Sequence, residues 1–203
     1  MSSLNGAIHR YSLTMPATAT LTKQTEFSEE QFSMQWVTAV GHVLKLRHIC
    51  KEDSFKFTSF IKNLSSIAHH FRFGSSNYKL SQVDILNLCN PLPNECIHLI
   101  IVLREDDEEQ IIGSAQYVIQ SDRHRCEFSI IVADDWKYHS LGLRLINGLA
   151  KLGRVQGIKE MFGRILSTNQ EMITFVQELG FSITDSAEGS WLKIATIDLE
   201  SIC

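Results

Sequence analysis

The sequence lacks the cysteine and histidine patterns that mark disulfide frameworks and metal sites. Its five cysteines are an odd number with no pair at CxxC spacing. We therefore expect no secreted disulfide scaffold and predict a reducing compartment, the cytoplasm. The eight histidines form neither an HxxxH nor an HExxH pattern. No metal site is predicted.

Long hydrophobic runs and an excess of basic charge are also missing. No apolar stretch reaches the roughly 18 residues of a membrane-spanning helix, and the first residues lack a basic segment followed by an apolar one. We expect neither membrane association nor a secretion leader. With 19 basic and 23 acidic side chains the net charge is -4, which argues against a nucleic-acid partner and attracts lysine-rich partners only weakly.

What is present suits a globular domain with an appendage. The chain has 203 residues, of which 44% are hydrophobic, enough for a substantial core. Residues 1–30 are rich in Ser and Thr and poor in large apolar side chains. We expect residues 1–40 to be an N-terminal appendage that can add an edge strand, and residues 41–203 to be the domain itself.

The first half of the domain alternates between strand and helix patterns. Residues 43–48 are predicted as a strand with Leu44 and Leu46 inward, and an apolar stripe predicts one helix over residues 52–70, capped by Asp53 or Ser54. A short helix is predicted at residues 81–88. An antiparallel meander of three strands follows, at residues 97–103, 111–119 and 126–133, with an acidic turn at 104–110.

In the second half of the domain, the spacing of the apolar residues alternates between helical and strand patterns. Leucines at helical spacing predict a helix over residues 141–152, and a capping-box sequence at Thr168 to Glu171 predicts the start of another, which Gly180 ends. Strands are predicted at residues 161–166, 181–184 and 191–199. We predict an α/β fold with a central twisted mixed sheet flanked by helices.

The segment from Cys126 to Leu145 is the most informative, because a strand there runs through a short loop into a helix. The N-terminus of a helix carries unpaired N–H groups and about half a positive charge. Such an end suits a pyrophosphate group. Small residues in the loop let the backbone approach the anion closely.

This segment resembles the GNAT acetyltransferase superfamily, whose loop has a Gln or Arg, two residues, a Gly, one residue, then Gly or Ala. Here Lys137 stands at the first position, Ser140 at the first Gly and Gly142 at the last. Downstream, Asn169 to Met172 and Glu178 to Phe181 are similar to the family's Asn-x-x-Met and Leu-Gly-Phe elements. The resemblance covers about residues 42–200.

The resemblance implies the GNAT fold and binding of acetyl-CoA as cosubstrate, with its pyrophosphate at the loop and helix start. The implied contact residues are Ile130, Val132, Lys137, Tyr138, His139, Ser140, Leu141, Gly142, Leu143 and Asn169. Backbone N–H groups near Ile130 to Val132 could polarise the thioester carbonyl. For Asn169, a contact with the pantetheine arm and a purely structural role in the first turn of its helix stay open.

The closest branch in motif order is the GNAT domain of bacterial Pat-type protein lysine acetyltransferases, which shares the order Arg72-Phe73, Ile112-Gly113 and Glu127-Phe128. That branch implies that Glu127 is the general base. The chemistry agrees, because a lysine amine with a pKa near 10.4 must lose a proton before it attacks a thioester. The alternative is that Glu127 is an ordinary solvent-facing strand residue.

One element of many GNAT enzymes is missing. They place a Tyr as general acid in the helix after Asn169, where this chain has Ile173-Thr174-Phe175-Val176. The thiolate then leaves unassisted or is protonated by water. Three functions stay open from sequence: acetylation of a protein lysine, which the motifs favour, acetylation of a small amine, or a non-catalytic acyl-CoA-binding module. We also expect the sheet to part near Val132, where the CoA arm would insert.

Overall fold

The computed structural model describes residues 32–76, 79–92, 94–105, 108–137 and 140–200. Within these ranges the strands are β1 (Ser33–Val37), β2 (Val43–His48), β3 (Cys96–Glu105), β4 (Glu108–Ile119), β5 (Arg125–Val132), β6 (Glu160–Leu166), β7 (Ser182–Ser186) and β8 (Gly189–Asp198). The α-helices are α1 (Ser54–Lys62), α2 (Ser66–Phe73), α3 (Gln82–Leu88), α4 (Leu141–Val155) and α5 (Gln170–Glu178). The predicted α/β class is confirmed.

The strands form one mixed sheet in the order β1-β2-β3-β4-β5-β6-β8-β7. All neighbouring strands are antiparallel except β5 and β6, which are parallel. The predicted meander is confirmed as β3, β4 and β5. The acidic turn predicted at residues 104–110 is shorter, because β3 and β4 stay paired out to Glu105 and Glu108.

Each face of the sheet carries its own hydrophobic cluster. The α4 cluster packs helix α4 on Cys126 and Phe128 of β5. The α1–α3 cluster packs the first three helices on β3 and reaches Ile131 of β5. Because side chains alternate along a strand, Glu127 and Ser129 share the face of Ile131, on the side of helices α1 to α3.

The single helix predicted over residues 52–70 is wrong, because the structure has α1 and α2 with a break between them. Ser65 caps α2 by accepting from the backbone N–H of Ala68 at 3.2 Å. Its own N–H and hydroxyl both donate to the carboxylate of Asp134, each at 2.9 Å. These bonds cap the start of α2 and fasten the junction of the two helices to the loop that precedes α4.

The N-terminal edge of the sheet is β1, which pairs with β2 and lies beside α4. The guanidinium of Arg144 in α4 stacks 4.3 Å from the ring of Trp36 in β1. Residues 1–31 lie outside the described residues, and the division of the chain at residue 40 stays a prediction. In the described ranges, no helix has both the length and the apolar character needed to cross a lipid bilayer.

Asp53 does not cap α1 with its side chain as predicted, because that carboxylate is held by Arg47 of β2. Arg47 donates to Asp53 Oδ2 and to Glu109 Oε2, both at 2.7 Å. The backbone N–H of Cys50 also donates to Asp53, at 2.9 Å. Burial alone would raise the pKa of Asp53, but these donors hold it below its ordinary value of 3.8. The network ties β2, the start of α1 and β4 together.

We expect Arg47→Met to lower the free energy of unfolding by about 3 kcal/mol, because it leaves the carboxylate of Asp53 buried without its partner. Since the folded-state pKa of Asp53 is depressed, this contribution is present above pH 3.8 and is lost as the pH falls through the folded-state pKa. Urea unfolding at pH 7 and in acid would measure both effects.

Arg125→Met is the matched control, because Arg125 pairs with Asp122 at an exposed position. Exposed ion pairs contribute little, so the control should unfold like the parent protein. Equal losses in the two variants would contradict the role assigned to the Arg47 network.

Candidate functional site

The site is built around the point where β5 and β6 stop pairing. Their parallel register consists of Arg125 with Glu160, Cys126 with Met161, and Glu127 with Phe162. Beyond this point β5 continues to Val132 and β6 to Leu166, but neither bonds to the other. From Phe128 onward β5 is paired only with β4. The predicted parting of the sheet is therefore present and begins four residues before Val132.

Aromatic packing accompanies the parting of the strands. The ring of Phe128 lies directly on Gly163 of β6, where an added Cβ would come within 2.5 Å of the ring. Phe128 also packs against Phe181, with ring centroids 5.4 Å apart. The ring therefore fills the space next to the last paired residues.

The loop between β5 and α4 carries most of the predicted cofactor contacts. Lys137 forms an ion pair with Asp134 at 2.9 Å. Ser140 has φ 55° and ψ 15°, a left-handed conformation that glycine adopts most easily. This explains why the family's motif has Gly where this chain has Ser140. Tyr138 and His139 lie outside the described residues.

The start of helix α4 presents backbone donors that precede its hydrogen-bonded turns. Its first intrahelical bond runs from the N–H of Arg144 to the carbonyl of Ser140, at 3.2 Å. The N–H groups of Leu141, Gly142 and Leu143 precede that bond and have no acceptor within the helix. Such an end attracts an anion.

The structure gives Gly142 a role that sequence reasoning missed. A Cβ at Gly142 would come within 2.9 Å of Cζ of Phe175, so the glycine lets α4 and α5 pack closely. Phe175 occupies the stretch of α5 where many family members carry a Tyr. The glycine therefore serves helix packing, whatever it also does for a bound phosphate.

Asn169 caps α5, one residue later than predicted, and the capping box predicted from Thr168 to Glu171 does not form because Met172 stands at its third position. The Oδ1 atom of Asn169 accepts from the backbone N–H of Met172 at 3.2 Å. The backbone N–H of Asn169 donates to the carbonyl of Leu166 at 2.8 Å. These bonds support the structural role for Asn169 and place it at the carboxyl end of β6, beside the parted strands.

Glu127 lies at the last pair before the strands part and is half-buried. Burial raises its pKa above the ordinary value of 4.5. The positive charges of Arg164 and Arg72 oppose this rise in pKa, and the negative charge of Glu188 adds to it. A carboxylate with a raised pKa is a better proton acceptor, because its conjugate acid is weaker.

The charged neighbours of Glu127 were not identified from the sequence. Arg164 lies two residues after Phe162 on β6, and both are half-buried. The residues between and beside them are fully buried: Met161, Gly163 and Ile165. That period-two pattern puts Arg164 on the face of Phe162, which pairs with Glu127. The alternation was readable from the sequence, but the parallel register of β5 and β6 was not.

Two other features of the described residues bear on the site. A cavity of about 700 Å³ opens between α1 and the β3–β4 hairpin, and none of the predicted site residues lines it. In the part of the chain that the structure describes, no group of three or more His, Cys, Asp or Glu side chains could hold a metal ion.

Comparisons with known proteins agree with this geometry. The model of the "Acetyltransferase (GNAT) family" matches residues 62–181, more than half of the chain. An acetyltransferase of Pseudomonas aeruginosa is 26% identical over 149 residues, which are 72% of this chain and 80% of that relative. An L-methionine sulfoximine/L-methionine sulfone acetyltransferase of Pseudomonas paraeruginosa is 28% identical over 49% of this chain and 63% of its own length.

The fold is also shared with a solved structure. The GNAT domain of S. lividans PAT superposes with a TM-score of 0.73 at 18% identity, over 82% of this chain and 96% of that one. This likeness concerns the fold, while the family match covers the strand, loop and helix described above. The chain belongs to the acetyltransferase (GNAT) family and is an N-acetyltransferase that takes its acetyl group from acetyl-CoA.

Proposed function

We propose that the chain acetylates the side-chain amine of a protein lysine by direct transfer, with Glu127 as the general base. The observation that carries the proposal is the place of Glu127, half-buried at the last β5–β6 pair and with a raised pKa. Glu188, whose charge acts on Glu127, is exposed. A lysine side chain of a protein can therefore approach Glu127 from this side.

In this proposal acetyl-CoA lies between the parted strands. Its pantetheine amides bond to the backbone of Ile130 and Val132, which lack a β6 partner. Its pyrophosphate is bound by the loop from Lys137 to Ser140, which includes Tyr138 and His139, and by the N–H groups of Leu141, Gly142 and Leu143. Asn169 stands at the end of β6 beside the arm.

The transfer removes two protons from the acceptor nitrogen and exchanges a C–S bond for a C–N bond. Glu127 takes the first proton from the ammonium, directly or through one water, and the neutral amine attacks the thioester carbonyl. The new C–N bond forms, the nitrogen loses its second proton to water, and the C–S bond breaks, so that CoA leaves as its thiolate. Phe175 offers no hydroxyl, so the thiolate leaves unassisted or receives a proton from water.

A small amine is the second candidate acceptor. It is favoured by the relative whose name gives L-methionine sulfoximine and L-methionine sulfone as its substrates. Intact-mass analysis of candidate proteins incubated with the chain and acetyl-CoA, beside chromatography of free amino acids treated in the same way, would separate the two acceptor classes.

Glu127→Gln should lower kcat by roughly 10²–10⁴-fold, because it keeps the shape of the side chain and removes the base. The affinity for acetyl-CoA should stay the same. In the parent protein, the rate should rise with pH as Glu127 loses its proton, at a pKa above 4.5. In the variant that step should vanish, and the rate should grow with the neutral fraction of the amine. Steady-state rates from pH 5 to pH 9 measure this.

Glu160→Gln is the control for Glu127→Gln, since Glu160 lies at the start of β6 opposite Arg125, two pairs before the strands part. It should keep the parent rate and the parent pH profile. Parent-like rates for Glu127→Gln across the whole pH range would mean that another group takes the proton.

Gly142→Val should weaken acetyl-CoA binding by at least about tenfold, through the side chain that it places at the helix start. Because the new side chain would also collide with Phe175, the variant must be compared in a Phe175→Leu background that makes room for it. Titration calorimetry with acetyl-CoA measures the affinity.

If the double variant binds acetyl-CoA as well as Phe175→Leu alone, Gly142 matters only for the packing of α4 on α5. The proposed pyrophosphate site at the start of α4 would then be wrong. Thermal unfolding of each variant separates loss of the fold from loss of the site.

A further inference from the structure

The positive charges of two guanidinium groups act on the carboxylate that the proposed function assigns as the base. Arg164 lies on β6 two residues beyond Phe162, the partner of Glu127, and on the same face. At Arg164, β6 is still paired with β8 but no longer with β5, so Arg164 stands at the edge of the opening. Its charge acts on Glu127 across this opening.

Arg72 reaches the same face from the other side. It stands in the last turn of α2, whose neighbouring Phe73 packs against the α1–α3 cluster together with Ile131 of β5. The guanidinium of Arg72 lies 5.1 Å from the centre of the Phe73 ring. Its charge also acts on Glu127.

The turn between β7 and β8 supplies a counter-charge. Glu188 forms an ion pair with Arg164, and its carbonyl accepts from Nε1 of Trp191 at 3.1 Å. This ion pair is at the exposed rim, where such pairs hold weakly and exchange easily. An incoming carboxylate can therefore replace Glu188 on Arg164.

These charges give a plain cationic amine no net attraction. The carboxylates of Glu127 and Glu188 attract an ammonium at this point, and the two guanidinium groups repel it. A molecule with an anionic group beside its amine is complementary to both signs of charge, so the site would bind it more tightly than an analogue without the anionic group. Arginine is well suited to bind a carboxylate through two parallel hydrogen bonds.

We propose that the acceptor carries a carboxylate close to the amine that is acetylated, and that Arg164 and Arg72 bind this carboxylate. The inference rests on the transfer at Glu127 proposed above. The carboxylate has two possible sources: an acidic residue next to the acceptor lysine in a protein, or the α-carboxylate of a free amino acid.

Two isosteric pairs of acceptors test the inference by calorimetry on the protein saturated with CoA. The peptide pair is Asp-Lys-Ala and Asn-Lys-Ala, blocked at both ends. The amino-acid pair is lysine and lysinamide. In at least one pair the carboxylate member should bind about 10- to 100-fold more tightly, the usual worth of a charged hydrogen-bonded contact. The pair that shows the preference identifies the source.

Side-chain variants distinguish specific binding from a structural role. Arg164→Gln and Arg72→Gln should each bring the ratio of the two affinities, carboxylate member over neutral member, closer to one. Glu188→Gln should raise it, since it removes the competitor for Arg164. If Arg164 only held the β7–β8 turn, Glu188→Gln and Arg164→Gln would change binding in the same direction. Lys193→Gln is the control, because Lys193 pairs with Asp185 on the same hairpin and alternates onto the opposite face.

Equal affinities for the two members of both pairs would overturn the inference, whether or not any of them is acetylated. A carboxylate preference without acetylation of either pair would leave the inference standing and count against the proposed function. A parent-like preference in both Arg164→Gln and Arg72→Gln would also overturn the assignment.

Discussion

Pairing between β5 and β6 stops after Glu127 and Phe162, and the other parts of the site depend on this parting. It leaves the backbone of β5 open on one side, where buried donors and acceptors need a partner. The parallel direction of the two strands places the loop before α4 and the start of α5 at the same end of the sheet. Glu127 is also fixed by the alternation along β5, because its neighbours Cys126 and Phe128 both point into the α4 cluster on the opposite face.

The site therefore combines a rigid scaffold with an unpaired gap. The Arg47 network fastens the first helix to the sheet, and the bonds from Ser65 to Asp134 fasten the junction of α1 and α2 to the loop before α4. Two surfaces therefore border the gap between β5 and β6. Helices α1 to α3 form one of them, on the side of Glu127, and the start of α4 forms the other. Arg72 and Arg164 add a charge pattern that a neutral cleft would not have.

The sequence allowed much of the fold to be predicted, because period-two and helical patterns locate strands and helices directly. The meander, the helix after Ser140 and the left-handed Gly180 follow from such local rules. The break at Ser65 does not, since it depends on Asp134, which is 69 residues away. Gly142 and Arg164 show the same limit, because Phe175 and Glu127 become their neighbours only once the chain is folded.

The contact between Phe128 and Gly163 limits how this sequence can change over time. The ring occupies the volume in which any side chain at position 163 would stand. A larger residue at position 163 is accommodated only after Phe128 has become small, and a small residue at 128 leaves a void until position 163 gains a side chain. Each single step is unfavourable on its own, so the two positions are expected to vary as a pair across descendants of this chain.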